Sequence, residues 1–512
     1  MSGRREHTRE SIRQTRKNCR LARAELRRRQ RIKGLKPVSR STLSNSLSPY
    51  RTVDEERRAR ETAVTGTVQI IRGKLPVLMR RMKQIDDPRN PRKLKHALAS
   101  LLLYGMLGFV FQMASRRQAN REMSRPVFKE NLLLLFPELR EIPHHDTLGR
   151  VLERIDVEEI QQAQLELLGK LLHKQKFRKY LVQGCYPVAI DGTQKFSSTT
   201  LWDAEYLERR VDDKAAPTSR YYLYVLESYL AFPGGMSIPF LTEFLDYHRG
   251  DSGREKQDCE LRAFYRLVSR IKEAFPRLPF MLLIDGLYSC GPVIERCRAN
   301  GWQYMIVLQD DSLSNVWIEY RGLLTFLNEE DQLEQNWGCR RQRFHWVNHI
   351  DYAYRSCKGT RRLKLHLVVC EESWEEVDPT NAQTVTKTSR HVWLSSAPLR
   401  RGNVHERCNL AARNRWTVES GILVEKSRGY HYEHCFAYSW TAMKGYHYLM
   451  HLAHLFTVLA HHACELAPLV RRLGGSGFAE FLRSTLAGPW LDHQRVTDRL
   501  SHAPRLRLSG GT

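Results

Sequence analysis

The chain changes its hydrophobic period near residue 180. From about Val68 to Lys179 the apolar positions recur at helical spacing. Leu75, Leu78 and Met79 precede a break at Asp86-Asp87-Pro88-Arg89-Asn90-Pro91, and the apolar run Ala97–Ala114 and Phe128–Phe136 follow. A turn at Pro143-His144-His145-Asp146 leaves Asp146 or Thr147 to cap the next helix. That helix carries Leu148, Val151, Leu152 and Ile155 on its apolar side, with Arg150 and Arg154 beside them. Beyond residue 180 short apolar runs take over. Pro187-Val188-Ala189-Ile190 runs into Asp191-Gly192, and Phe280–Ile284 runs into Asp285-Gly286. Each predicts a buried strand with a carboxylate at its exit, although Asp-Gly is also an ordinary turn pair. Tyr221–Phe232 and Ser237–Leu245, joined by Pro233-Gly234-Gly235, predict a hairpin, and Arg254–Phe275 an amphipathic helix. A helix at Pro292–Ala299 and a strand at Gln303–Gln309 complete a mixed α/β order.

Residues 310–390 break that rhythm. They hold the strand-like Leu363–Cys370, polar stretches, and Trp317, Trp337, Trp346 and Trp374, and they read as an insertion. His391–Ser395 predicts a further strand, and a helix from about Val404 to Arg428 returns to the core. Residues 430–512 read as helical and histidine-rich, broken at Gly474-Gly475-Ser476-Gly477.

Charge narrows the class of partner. The 512 residues carry 82 Lys and Arg against 56 Asp and Glu, a net charge of +26, which favours a polyanion. Residues 1–40 hold fifteen Lys and Arg against three Glu, densest at Arg27-Arg28-Arg29. Such a run suits a phosphate backbone better than a base code, its alternative being a solvated tail. Residues 41–52 read as a flexible linker. Eleven scattered cysteines without a C-x-x-C pair indicate neither a disulfide framework nor a cysteine zinc module, which fits a reducing interior. No secretory signal is recognisable at the N-terminus, and Ala97–Ala114 is read as a buried helix ahead of a membrane span.

The candidate chemistry lies in the carboxylates. Arg415, Glu419 and Lys426 stand at offsets of four and eleven residues, within about 40° of one another around a helix. Alone, this spacing describes a solvated ion-pair face. Together with two Asp-terminated strands it describes a site where Asp191, Asp285 and Glu419 hold two Mg²⁺ ions, with Mn²⁺ as a substitute, for in-line phosphoryl transfer. Arg415 and Lys426 would neutralise DNA phosphates beside it.

The stretches Ala189-Ile190-Asp191-Gly192-Thr193, Leu283-Ile284-Asp285-Gly286 and Arg415-x3-Glu419-x6-Lys426 resemble the motifs of insertion-sequence DDE transposases. The third motif is similar to the Tyr-x2-Arg-x3-Glu-x6-Lys signature of one subgroup, with the Tyr position occupied by Ala412. The resemblance covers roughly residues 75–460. It implies an RNase H-like mixed-sheet catalytic core with a β-rich insertion, preceded by a helical DNA-binding region. The expected organisation is a basic flexible arm and linker (1–65), a helical DNA-binding region (66–179), the first part of the core (180–309), the insertion (310–390), the second part with the Glu helix (391–465) and a tail (466–512).

The implied function is a transposase that binds element ends and cuts and joins double-stranded DNA. It would act as a homodimer in the DNA complex, in the cytoplasm or on a bacterial nucleoid, without a membrane. Arg27, Arg28, Arg29, Arg150 and Arg154 join Arg415 and Lys426 as candidate DNA contacts. Two other readings stay open: a metal-dependent nuclease without strand transfer, and a DNA-binding protein that has lost catalysis. The helix pair around residue 146 is either a DNA-reading helix-turn-helix or an ordinary helical hairpin.

Weaker signals complete the picture. Asp310 and Asp311 also follow an apolar strand and rival the named pair, whereas Asp246 and Asp251 read as turn residues. Trp337 and Trp346 are candidates for stacking a flipped base. His447, His451 and His454 have a spacing that can bind zinc, yet Tyr446, Tyr448, Leu449 and Leu452 around them favour a packed structural or DNA-facing helix. A phosphate-cradling G-x-x-x-x-G-K-[ST] loop is absent from the sequence.

Overall fold

In the computed structural model the described residues are 9–36, 43, 45–212, 217–249, 257–356, 359–502 and 506–509. The expectations for Asp251, Cys357, the start of the helix at Arg254, and parts of the arm, linker and tail lie outside them. The chain forms two compact units: Leu43–Phe280 with Asn414–Thr512, and Met281–Arg413 with the described part of Met1–Thr42.

The chain begins with α1 (Arg9–Ile32), α2 (Val53–Arg72), α3 (Leu75–Met82), α4 (Leu98–Val110) and α5 (Arg116–Met123). Next come α6 (Pro126–Leu135), α7 (His145–Leu152) and α8 (Glu158–His173). Strands β1 (Tyr186–Ser198), β2 (Leu207–Asp212), β3 (Pro217–Ala231) and β4 (Ser237–Phe244) precede α9 (Glu260–Ala274). Then follow β5 (Phe280–Ile284), α10 (Gly291–Ala299), β6 (Gln303–Val307) and α11 (Ser314–Leu323). The long strands β7 (Gln332–Trp337), β8 (Arg340–Ser356), β9 (Gly359–Val377) and β10 (Thr384–Ser395) lead to α12 (Trp416–Ser427). The chain closes with α13 (Trp440–His461), α14 (Ala467–Ala487) and α15 (His493–Ser501). The fold is mixed α/β with a helical N-terminal region. In chain order an antiparallel meander of β1, β3 and β4 is followed by α9, β5, α10 and β6.

In the larger unit β3 is central. It pairs antiparallel with β1 along one edge and with β2 and β4 along the other. β1 does not end at Asp191; it continues to Ser198, still paired with β3. The Asp-Gly pair makes no turn here because Gly192 serves packing: a Cβ on it would lie 2.5 Å from both Tyr224 Oη and Glu260 Oε2. A bulge between Gln194 and Phe196 then turns Lys195 into the protein, where it is buried. Helix α13 is buried on nearly all sides, the burial expected of a helix with apolar residues around its whole circumference. It packs on β4 and on α2, α4, α7 and α8. Gly105 of α4 admits Leu148 and Leu449, which would lie 2.5 and 2.8 Å from a Cβ there. Helix α4 is therefore a core helix, and among the described residues no helix is long and apolar enough to cross a membrane.

In the smaller unit β5 and β6 are parallel, and β10 joins β6 antiparallel through Trp393–Ser395. The segment expected to be a β-rich insertion is a regular antiparallel array, β10-β9-β8-β7, of which only Leu363–Cys370 reads as strand-like in the sequence. Its alternation was masked because one face buries Phe344, Trp346, Ile350 and Leu365 while Arg, Lys and Glu line the other. Helix α1, within the arm, lies along β9, burying Cys19, Leu26 and Gln30. Gln30 Nε2 donates to the Glu375 carbonyl at 3.3 Å, and Lys36 N to the Gly338 carbonyl at 2.8 Å.

Further local expectations change. His144, not Asp146 or Thr147, caps α7 by accepting from Asp146 N. The single helix expected over 404–428 is instead a π-helical turn Glu406–Ala411, a 3₁₀ turn Ala412–Arg415 and then α12. The glycine break near 474 appears as a kink within α14, with Gly474 at φ 71°.

Candidate functional site

Strand β1 and helix α12 bring two of the three candidate carboxylates to one guanidinium. Asp191 lies where the buried half of β1 gives way to its part-exposed half. Arg415 ends the 3₁₀ turn before α12, and Glu419 lies one helical turn on. Arg415 Nη1 is 3.8 Å from Asp191 Oδ2, and its Nη2 is 3.1 Å from Glu419 Oε1. The Arg415 side chain is 11% exposed, so these charges interact outside bulk solvent. Its Nε is buried without a hydrogen-bond partner among the described residues, and Trp416 packs its ring 4.9 Å from the guanidinium carbon. Lys426, in the last turn of α12, reaches the Gln194 carbonyl at 3.4 Å and Glu433 at 3.0 Å, beside β1 but away from Arg415's partners.

The third carboxylate, Asp285, belongs to the smaller unit. It ends β5 and accepts from Leu287 N at 3.0 Å, capping the turn Gly286–Tyr288. Gly286 is again a close-packing glycine, since a Cβ there would meet Gln309 at 2.8 Å. Of the rivals, Asp310 is exposed and paired with Arg390 at 2.7 Å, and Asp311 is exposed. Asp246 accepts from His248 N, as a turn aspartate does.

The candidate DNA contacts fall on two surfaces. Arg27, Arg28 and Arg29 are exposed on α1, with Arg29 Nη2 3.3 Å from Thr384 Oγ1. Arg150 on α7 and Arg154 just beyond it are exposed, while Leu148, Val151, Leu152 and Ile155 are buried. Trp346 is 1% exposed and cannot present a face to a base. Trp337 is covered by Arg413, 4.8 Å from its ring. Arg413 also binds Glu372, which receives Arg340 and Gln342 as well. Burial alone would raise the Glu372 carboxyl; hydrogen bonds from His391 and Gln342 and the charge of Arg413 hold it well below the usual carboxylate range.

Of a second polar centre, wholly buried in the larger unit, the sequence singles out the histidines His447, His451 and His454 but not the carboxylates. Glu227, the direct partner of Asp191 across β1 and β3, meets His447 and His451 of α13. Glu425 of α12 meets His451 and His454. Burial raises the Glu227 carboxyl despite His451 nearby. Burial would also raise Glu425, but His451 and His454 hold it low. Lys195, its Nζ 2.8 Å from the Tyr432 carbonyl, is pushed down to about 8 by burial against the pull of Glu227 and Glu425. The sequence does contain a signal: Glu227 and Ser228 interrupt the mostly apolar stretch Leu223–Phe232, where a solitary carboxylate needs a buried partner.

Comparison with known proteins adds one assignment. Residues 79–168, from α3 into α8, match the family model described as DDE_Tnp_1-associated. Curated proteins give no match to the chain. Among solved structures, the cryo-EM structure of a piggyBac transposase synaptic complex with hairpin DNA aligns over 89% of this chain and 86% of that one. The identity is 11% and the TM-score 0.33.

Proposed function

We propose that this chain is a DDE-type DNA transposase, with Asp191, Asp285 and Glu419 as its metal-holding carboxylates. The observation that carries the reading is the placement of Arg415 against both Asp191 on β1 and Glu419 on α12. One cation thus gathers two carboxylates that lie 228 positions apart in sequence. Asp285 enters the proposal as the carboxylate at the end of β5. The DDE_Tnp_1-associated segment at 79–168 supports the same reading from a separate part of the chain.

The donor set fits hard divalent cations, because all three groups are carboxylates and each is part-exposed rather than sealed in the core. Two bound Mg²⁺ ions, with Mn²⁺ as substitute, would activate the attacking water or 3′-hydroxyl and stabilise the leaving oxygen. Asp191 and Glu419 orient that charge from a strand and a helix that pack together, and Arg415 holds them in register. Lys426, on the same helix, supplies positive charge for the DNA backbone. The exposed Arg27, Arg28, Arg29, Arg150 and Arg154 position the duplex through its phosphates. Element ends and target DNA are the proposed partners, brought together by a homodimer in the cytoplasm or on a nucleoid.

The test is strand cleavage on a duplex carrying the element's end, comparing the wild type with Asp285→Ala in Mg²⁺ and in EDTA. Mg²⁺-dependent nicking lost in the variant, with 3′-hydroxyl joining to a second duplex, is the expected result. Cleavage that survives Asp285→Ala overturns the carboxylate assignment. Nicking without joining leaves a nuclease, and binding without cleavage a non-catalytic DNA-binding protein.

A further inference from the structure

The buried centre on α13 has the donors and the spacing of a metal site separate from the three carboxylates above. His447 Nε2 is 3.4 Å from Glu227 Oε1, and His451 Nε2 is 3.6 Å from Glu227 Oε2 and 3.4 Å from Glu425 Oε2. One ligand atom each from Glu227, His447 and His451 lies within 4.8 Å of the others. Tetrahedral zinc with bonds of about 2.0–2.1 Å to nitrogen and oxygen requires its ligand atoms to lie about 3.3–3.4 Å apart. The His447–Glu227 and His451–Glu425 separations match that edge length, His451 Nε2 stands slightly farther from Glu227, and all three exceed the length of a good hydrogen bond.

The hydrogen-bond inventory points the same way. His451 Nε2 and Glu425 Oε2 are buried and face each other at 3.4 Å, and among the described residues neither makes a well-formed hydrogen bond. Leaving such groups unsatisfied costs about 1–3 kcal/mol each, and more when charged. The groups behind the donors are already arranged as an outer shell. Tyr432 Oη donates to Glu227 Oε1 and Thr242 Oγ1 to Oε2, each at 2.8 Å; Thr242 Oγ1 also lies 3.2 Å from His447 Nε2 and 3.3 Å from His451 Nδ1, and His454 Nδ1 contacts Glu425 Oε1 at 2.6 Å. Carboxylate and imidazole ligands are commonly oriented by neighbours that hydrogen-bond them.

We infer that Glu227, His447 and His451, with Glu425 as the fourth donor, form a closed structural site for one zinc-like divalent cation. All four side chains are buried, so the site has no open face for substrate. It ties α13 to β3 and α12. Through them it braces the strand pair that holds Asp191 and the helix that holds Glu419. The inference does not depend on the proposed transposition chemistry.

The test measures zinc in the purified full-length protein after Zn²⁺ loading and dialysis, beside His451→Gln and Asp191→Ala. Wild type and Asp191→Ala are expected to retain about one zinc per chain and His451→Gln to retain almost none. The Co²⁺-loaded wild type is expected to show the visible absorption of tetrahedral cobalt. A folded His451→Gln that keeps its zinc overturns the site, as does loss of zinc in Asp191→Ala alone. If His451→Gln does not fold, the wild type decides: no retained zinc and no cobalt band means an ion-paired histidine–carboxylate network without metal.

Discussion

Asp191 and Glu227 are direct cross-strand partners, yet they face different surroundings: Asp191 is part-exposed against Arg415, and Glu227 is sealed beneath α13. Directly paired residues share a face of the sheet, so the two carboxylates stand side by side at the border between core and solvent. The same border runs along α12, where Glu419 is part-exposed and Glu425 is fully buried. Changes at the buried pair should therefore be felt at the exposed one.

Arg415→Ala should cut strand cleavage by about 10²-fold, since it removes the cation shared by Asp191 and Glu419. Arg415→Lys should recover only part of this, because an ammonium cannot span two carboxylates as a guanidinium does. Binding to an end duplex in EDTA should change little in either variant. Single-turnover cleavage beside a gel-shift titration separates the two effects; an equal loss in both would show that Arg415 acts in binding alone.

Glu372→Gln should destabilise the smaller unit by about 3 kcal/mol, because Arg413 and Arg340 lose a buried anionic partner. The wild-type carboxyl is held below its ordinary 4.5, so its contribution is complete above that pH and declines as pH falls below it. Thermal melts at pH 7 and pH 4 should show a smaller difference between wild type and variant at the lower pH.

His145 supplies a pH dependence of different origin. Burial beside Tyr446 and Tyr104 lowers it from 6.5 to about 4. The unfolded chain takes up this proton below pH 6.5 and the folded chain only near 4, so stability falls as pH drops through that window. The shift corresponds to at most about 3 kcal/mol. His145→Gln should flatten the denaturant-midpoint profile between pH 6.5 and 4 and leave the acid limb below pH 4 unaltered; an unchanged slope within the window would refute the assignment.

Replacing Arg27, Arg28 and Arg29 together by Ala should weaken duplex binding at every sequence alike. If all three meet phosphates, the slope of log K against log salt should shrink by about 2.7. Fluorescence anisotropy across a salt series measures it. A change confined to one sequence would mean base reading instead.

Much of this architecture is local and therefore legible. Phe280–Ile284 announces β5 because five consecutive apolar residues have few uses other than a buried strand. Arg415 and Glu419 announce their pairing because four residues make about one helical turn. The same reasoning mistook Asp191-Gly192 for a strand end. A glycine reserved for the Tyr224 and Glu260 side chains looks, in sequence, like a turn glycine. Within the insertion, expected to be β-rich from the resemblance, periodicity singled out only Leu363–Cys370, because one buried face is diluted by charge on the other.

The sequence by itself determined where the helices give way to strands, the basic character of the arm, and the local placing of each candidate carboxylate, since periodicity and charge are properties of neighbours. Only the tertiary structure decided that α1 lies on β9, that Arg415 reaches Asp191 as well as Glu419, and that Glu227 and Glu425 share His451. Those contacts join residues far apart in the chain, and no spacing rule encodes them. They follow from burial, which leaves each polar group inside the core to be satisfied by whichever group folding brings within reach.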